Sequence, residues 1–292
     1  MGTTYHSEYK KLESVFIKPA INAFISDVNL GNQWQKLNYL SCPDFKKGLA
    51  EYYLFQKYLL ANNVKVEQFP INENVQIDSI YCRDASIATN FGMIICYMGK
   101  DERINEPQSH LEIYKEHSIP ILGIIEAPGT LEGGDIAWLD EKTLAVGHTY
   151  RTNHEGIAQL KALIEPKGVR VIVAELPHYK GKNDVFHLMS ILSPVDKDLA
   201  VVYSPLMPIK FRNELIKRGY ELIEVPDEEF ESMGCNVLAI APRKCIMVNG
   251  NPKTQKSLEL AGCEVTAYKG EEISIKGGGG PTCLTRPLKR SY

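Results

Sequence analysis

The stretch IDSIYCRDAS, residues 77–86, joins one strand–helix–strand run to the next, and four other stretches do the same further along the chain. They are GTLEGGDIAW (129–138), NDVFHLMSIL (183–192), SMGCNVLAI (232–240) and KGGGGPTCLT (276–285). One polar residue from each, Asp84, Glu132, His187, Asn236 and Cys283, gives gaps of 48, 55, 49 and 47 residues. Between joints the hydrophobic period switches from strand to helix and back. Five similar units with a polar residue at the same point of each predict an α/β fold closed into a ring, with those side chains converging on its axis. A propeller of four-stranded blades has a similar period, but a helix in every unit argues against it.

The first unit reads as a strand at 14–18, a helix over 45–62 and a strand at 65–69. In that helix Phe45, Leu49, Tyr52, Phe55 and Leu59 fall at steps of three and four, which makes one buried face. The second has strands at 87–90 and 93–97, a helix at 108–117 and a strand at 121–125. The third runs through 144–147, a helix at 154–163 and a strand at 169–174. The fourth runs through 199–203, 209–218 and 221–225. The fifth has strands at 237–241 and 245–248, a helix at 254–261 and a strand at 264–268. The Asn- and Gly-containing segment 21–40 is a candidate lid.

A chain of 292 residues would suit two domains by length, but no linker or low-complexity stretch divides it, and the repeat makes 1–292 one unit. Hydrophobic content of 44% and charged content of 24% are globular values and argue against disorder. Thirty-three basic and thirty-six acidic residues give a net charge of −3, which removes the usual electrostatic case for a nucleic acid or an anionic membrane as the main partner. No window approaches the roughly 18 apolar residues of a membrane span. Residues 1–11 are polar and do not read as a secretory signal. The seven cysteines are odd in number, widely spaced and without a CxxC pair. They predict a reduced, cytoplasmic protein with neither a disulfide framework nor a cysteine zinc site.

Cys283 follows Gly277–Gly280 and Pro281. A glycine run lets backbone approach a ligand closely, and a thiol in such a loop is a candidate nucleophile if its pKa is lowered. The run is not a phosphate-binding loop, because Lys-Ser/Thr does not follow the glycines. His187 lies in the apolar run VFHLMSIL. A lone histidine there would read as core, but its place at a joint matching that of Cys283 makes it a candidate general acid and base. Asp78, Asp84, Glu132 and Asp135 are four carboxylates at two joints, with turn chemistry the simplest reading for Asp135 after two glycines. Converging carboxylates need a cation. No Cys/His metal spacing accompanies them, so the cation can be the substrate, and a planar guanidinium suits paired carboxylates.

The five-fold repeat, the RDAS joint, LEGGD, the FHL histidine and GGGGPTC together resemble the guanidine-modifying superfamily over essentially the whole chain. That superfamily includes dimethylarginine dimethylaminohydrolases, arginine deiminases and amidinotransferases. The resemblance implies the five-bladed α/β propeller called the pentein fold. It is strongest to the dimethylaminohydrolases: IDSIYCRD resembles their segment with two aspartates six apart, here Asp78 and Asp84, and GHTYRTNHEG resembles their arginine-bearing segment, here Arg151. Arg103, nineteen residues after Asp84, resembles an arginine that holds the substrate carboxylate.

The resemblance implies Cys283 as nucleophile, His187 as acid and base, Glu132 as its orienting partner, and Asp84 and Asp78 on the substrate guanidinium. Arg103 and Arg151 would hold the head group of an arginine-type amino acid. It implies hydrolysis to citrulline and an amine or ammonia through a covalent thiouronium, with no metal or organic cofactor. A homodimer is common in that branch. Two departures stand out: Met189 where deiminases carry an aspartate, and Gly278 where mammalian dimethylaminohydrolases do. Arginine deiminase, amidinotransferase and, more remotely, a non-catalytic binding protein on the same fold are the competing readings.

Overall fold

The computed structural model describes residues 3–291, so residues 1, 2 and 292 of the expected unit lie outside it. In chain order it begins with β1 (Leu12–Ile17), α1 (Ala20–Phe24), α2 (Asp27–Gln33), α3 (Phe45–Ala61) and β2 (Lys65–Gln68). Asp44 caps α3 by accepting from the Lys47 amide at 2.9 Å, and Tyr52, Phe55 and Leu59 are buried on its inner face. The second unit is β3 (Ser86–Thr89), β4 (Gly92–Ile95), α4 (Glu106–Glu116) and β5 (Ile121–Ile124). The third is β6 (Ile136–Asp140), β7 (Thr143–His148), α5 (His154–Ile164) and β8 (Arg170–Glu175). The fourth is β9 (Leu192–Asp196), β10 (Leu199–Val202), α6 (Ile209–Lys217) and β11 (Glu221–Glu224). After the short α7 (Asp227–Phe230), the fifth is β12 (Leu238–Ala241), β13 (Lys244–Val248), α8 (Pro252–Leu260) and β14 (Glu264–Tyr268). The last strand is β15 (Thr285–Arg290), which pairs antiparallel with β1.

These strands make five separate three-stranded sheets among the described residues. In each, the middle strand is antiparallel to one neighbour and parallel to the other, and a helix makes the parallel crossover. The antiparallel partners β3, β6, β9 and β12 are almost wholly buried, while the parallel outer strands β2, β8 and β11 are exposed at both ends and half-buried or buried between. The buried strands contact one another from sheet to sheet. β15 packs on β3, β6 on β9, β9 on β12 and β12 on β1. Trp138 of β6 donates through Nε1 to the Ala88 carbonyl of β3 at 3.2 Å.

The repeat located α3, α4, α5, α6 and α8 and the outer strands to within a residue or two. It did not yield α1, α2, α7, β6, β9 or β15. β6 (IAWLD) and β9 (LSPVD) run straight out of their joints with no polar break to mark a start. β15 (TRPLKR) is rich in charge and becomes a strand only by pairing with β1 across the length of the chain. Segment 21–40, expected as a lid, carries most of α1 and all of α2, and Leu37, Asn38 and Leu40 beyond them line the main cavity.

Arg83 and Glu8 tie the N-terminal segment to the buried strands. Arg83 Nη2 donates to both Glu8 carboxylate oxygens at 2.9 Å, both side chains are buried, and Glu8 also accepts from the Trp138 amide at 3.3 Å. Breaking such a pair leaves a buried charge uncompensated. Glu8→Ala is therefore expected to lower unfolding stability by about 3–5 kcal/mol, measured by urea denaturation; a loss under about 1 kcal/mol would show that the pair behaves like an exposed one.

Candidate active site

The joints form short turns that aim side chains at a single cavity. Three of them are 3-10 turns, Ile77–Ile80, Gly133–Asp135 and Leu188–Ser190, each entering a buried strand. The cavity is lined by Asp78, Asp84, Lys100, Arg103, Arg151, His187, Asn236 and Cys283, with apolar wall from Leu37, Tyr81, Phe186, Met189 and Ile275. Of the five joint residues, Glu132 alone is not on the lining. It is completely buried behind His187.

Glu132 is the most heavily partnered group of the site. Its Oε2 lies 2.8 Å from His187 Nε2. Its Oε1 accepts from the amides of Gly99 and Lys100 at 3.0 and 3.1 Å, and Arg151 Nη1 stands 3.5 Å from both oxygens. Burial alone would raise its pKa, but Arg151 and His187 outweigh this and hold it well below the usual carboxylate range. The carboxylates act on the histidine in turn. Burial disfavours the imidazolium, yet Asp135, Asp84 and Glu132 more than offset it and raise His187 to about 9. His187 is therefore cationic at neutral pH. Its ring is held against Gly134, where a Cβ would fall 2.3 Å from Nδ1 and 2.7 Å from Asp84 Oδ1, so only glycine allows this approach.

Asp135 does sit in a turn, but its carboxylate reaches beyond it. Oδ1 accepts from the Leu188 amide at 2.9 Å and Oδ2 from Thr149 Oγ1 at 2.7 Å, and burial pushes the group up to about 6. It thereby fastens the turn carrying His187 to the loop carrying Arg151.

The two expected head-group arginines are placed differently. Arg151 is buried on the cavity lining, and among the described residues its guanidinium has just the long contact to Glu132. Arg103 is engaged elsewhere: Nε and Nη2 donate to Glu106 at 2.9 and 2.7 Å, Nη2 also donates to the Tyr81 carbonyl at 2.9 Å, and Nη1 donates to Asp84 Oδ2 at 2.6 Å. The arginine expected at the carboxylate end thus sits on the aspartate expected to hold the guanidinium. The other oxygen, Asp84 Oδ1, is buried without a hydrogen-bond partner among the described residues and lies 4.0 Å from His187 Nδ1. Asp78 is not free either: Lys100 Nζ donates to its Oδ2 at 2.6 Å and to the Leu37 carbonyl at 3.1 Å.

Cys283 is partly exposed on the cavity lining and packs beside apolar groups. Asn236 Nδ2 donates to Sγ at 3.3 Å, and Asn236 Oδ1 accepts from the Thr282 amide at 3.0 Å, so the amide is locked in orientation. A Cβ at Gly280 would fall 2.6 Å from the Asn236 side chain, which explains one glycine of the run. Gly278, the second, takes φ +75°, a left-handed backbone that favours glycine. Burial pushes the thiol up to about 11; Asp84 adds to the rise, and Asn236 opposes it.

Sequence reasoning missed two residues here, Lys100 and Glu106, and the bond from Asn236 to the sulfur. Lys100 and Glu106 lie outside the joints, in ordinary polar segments that carry no motif. The periodicity marked Asn236, but nothing in it revealed what the amide touches. Asp84, Glu132 and His187 have ligand atoms within 4.8 Å of one another, a spacing that a metal could use. The two arginines and the cationic imidazole already supply positive charge to those carboxylates, which suits a planar organic cation better than a second full metal charge.

The fold and this constellation place the chain in the guanidine-modifying pentein superfamily. Within it, the family model for eukaryotic N,N dimethylarginine dimethylhydrolase matches residues 31–290, and the chain belongs to that family of hydrolases acting on amidine C–N bonds. It is 27% identical over 248 residues to the dimethylarginine dimethylaminohydrolase of Pseudomonas aeruginosa, covering 85% of this chain and 91% of that one. It is 26% identical over 271 residues to an arginine deiminase of Listeria welshimeri, covering 78% of this chain and 66% of the deiminase. A solved structure of a P. aeruginosa dimethylaminohydrolase variant with citrulline superposes with a TM-score of 0.75 at 23% identity, covering 95% of this chain and all of that one.

The raised thiol makes a pH prediction. In the free protein, alkylation of Cys283 by iodoacetamide, followed by mass spectrometry of its peptide, is expected to keep accelerating above the roughly pH 8.5 midpoint of an ordinary cysteine. Asn236→Ala is expected to move the midpoint higher, because the donor to the thiolate is lost. A midpoint at or below the ordinary value would contradict the site geometry.

Proposed function

We propose that this protein hydrolyses the guanidinium C–N bond of an arginine-type amino acid, with a methylated arginine as the first candidate and citrulline as product. The observation that carries this reading is the buried, unpartnered Asp84 Oδ1 beside His187 on a cavity shared with Cys283. A buried acceptor without a donor costs roughly 1–3 kcal/mol, and a substrate N–H removes that cost on binding. The five sheets are read as blades of a pentein propeller, supported by the sheet-to-sheet contacts of the buried strands and by the family.

In this mechanism the substrate guanidinium enters against Asp84 and displaces Arg103 Nη1. Arg103 remains tethered to Glu106 and turns its freed edge to the substrate carboxylate, where Arg151 also binds. Asp78 supports the guanidinium end through its pair with Lys100. The incoming cation lowers the thiol pKa, the thiol proton leaves to solvent water, and Cys283 attacks the central carbon as a thiolate. His187, already protonated, gives its proton to the departing amine, which leaves a thiouronium on Cys283. The now neutral imidazole takes a proton from water, and the hydroxide attacks the same carbon. Collapse releases citrulline and returns the thiolate. Glu132 holds His187 in place through both protonation states.

Arginine deiminase is the second reading, favoured by the match to a deiminase over 78% of the chain. Asymmetric dimethylarginine and L-arginine, assayed in parallel for citrulline and the released amine, separate the two. Dimethylamine from the first alone supports the leading reading; ammonia from the second moves the protein to deimination. Cys283→Ser is expected to lower turnover by about 1000-fold or more. Arg151→Ala is expected to raise KM by roughly 10–100-fold, the loss of one charged hydrogen bond, and to lower kcat as well, because Glu132 behind His187 loses a charge partner. Wild-type rate in the first variant, or an unchanged KM in the second, would overturn the roles assigned.

A further inference from the structure

A second cluster of imidazole and carboxylate lies outside the cavity, at the foot of the loop that carries Arg151. His148 ends β7, Glu175 ends β8, and the two are direct partners in the parallel register. His148 Nδ1 lies 2.6 Å from Glu175 Oε2. His154 opens α5, and its ring stacks on that of His148 with centroids 3.8 Å apart. One ligand atom from each of the three residues lies within 4.8 Å of the others. Nothing in the catalytic chemistry uses them.

We propose that His148, His154 and Glu175 form a surface site for a divalent transition metal of the zinc class. Two imidazoles and one carboxylate are a recurrent zinc donor set, with water filling the open position. Bonds of about 2.0–2.2 Å in a tetrahedron require donors roughly 3.3–3.6 Å apart. The His148–Glu175 pair, hydrogen-bonded at 2.6 Å, opens by about 1 Å as the metal replaces the shared proton. His154 must close the remaining gap, and its side chain is free to do so, because among the described residues its ring nitrogens have no hydrogen-bond partner. Histidine and carboxylate donors favour zinc, cobalt and nickel over calcium or magnesium.

The placement gives the site a mechanical consequence. Residues 149–153, between the two histidines, contain Thr149, which holds Asp135, and Thr152, whose Oγ1 accepts from the Glu132 amide at 3.1 Å. A metal bridging His148 and His154 clips this loop at its base. The bearing of the clip on Arg151 rests on the function proposed above; the metal site does not.

The test uses full-length Cys283→Ser protein, which removes the cavity thiol as a competing ligand, titrated with zinc by calorimetry and with cobalt by absorption. One metal per chain is expected, with a zinc-dependent rise in unfolding temperature. His154→Ala is expected to weaken binding at least 10-fold and to abolish the thermal shift, and Glu175→Gln to weaken it less. His187→Ala is expected to leave the affinity unchanged. No binding, binding indifferent to His154, or binding lost with His187 would overturn the proposal. Activity is not the readout, so failure here would leave the hydrolase reading standing.

Discussion

The contact between Glu132 and His187 is the constraint on which the rest of the site depends. A fully buried carboxylate is costly unless positive charge and donors surround it. Two backbone amides, one arginine and one imidazole do so here. The two amides are neighbours in one loop and the arginine and imidazole lie in two others, so satisfying one carboxylate draws four parts of the chain together, its own turn included. Asp135 does the same one turn further on, and Gly134 between them is bare so that the imidazole fits. The catalytic geometry and the local stability are therefore one set of interactions.

The electrostatic balance explains why a cation belongs in the cavity. His187 is held protonated and Cys283 is held as a thiol, so the free protein is poised one proton short of nucleophilic attack. The hydrogen bond from Asn236 favours the thiolate, but Asp84 opposes it. In the proposed mechanism a bound guanidinium would change the sign at that point, neutralising Asp84 and favouring the charged sulfur. Arg103 occupies the position meanwhile, with one edge anchored on Glu106, and so keeps Asp84 from standing as an isolated buried charge.

Met189 and Gly278 are the two positions where the resemblance implied an aspartate, near the histidine and near the cysteine. In this chain Met189 is apolar wall and Gly278 is a left-handed turn, so neither leaves a missing charge in the structure. The carboxylates that act on His187 are Glu132, Asp135 and Asp84. The two departures are thus compatible with the same proton chemistry, and they alter the lining of the cavity more than its charge.

The sequence by itself determined the repeat, the place of most helices and strands, and the joint residues, of which Asp84, His187, Asn236 and Cys283 reach the cavity. Periodicity and spacing are local properties, and Asp84, Glu132, His187, Asn236 and Cys283 each sit at a local signal, the joint. The tertiary structure alone decided the partners. β15 is a strand only because β1 lies beside it, Glu132 lies behind the cavity wall because His187 covers it, and Arg103 pairs with Glu106 and Asp84 because burial forbids an unpaired guanidinium. Which charges meet is set by distances through space between residues far apart in the chain. No local pattern encodes those distances.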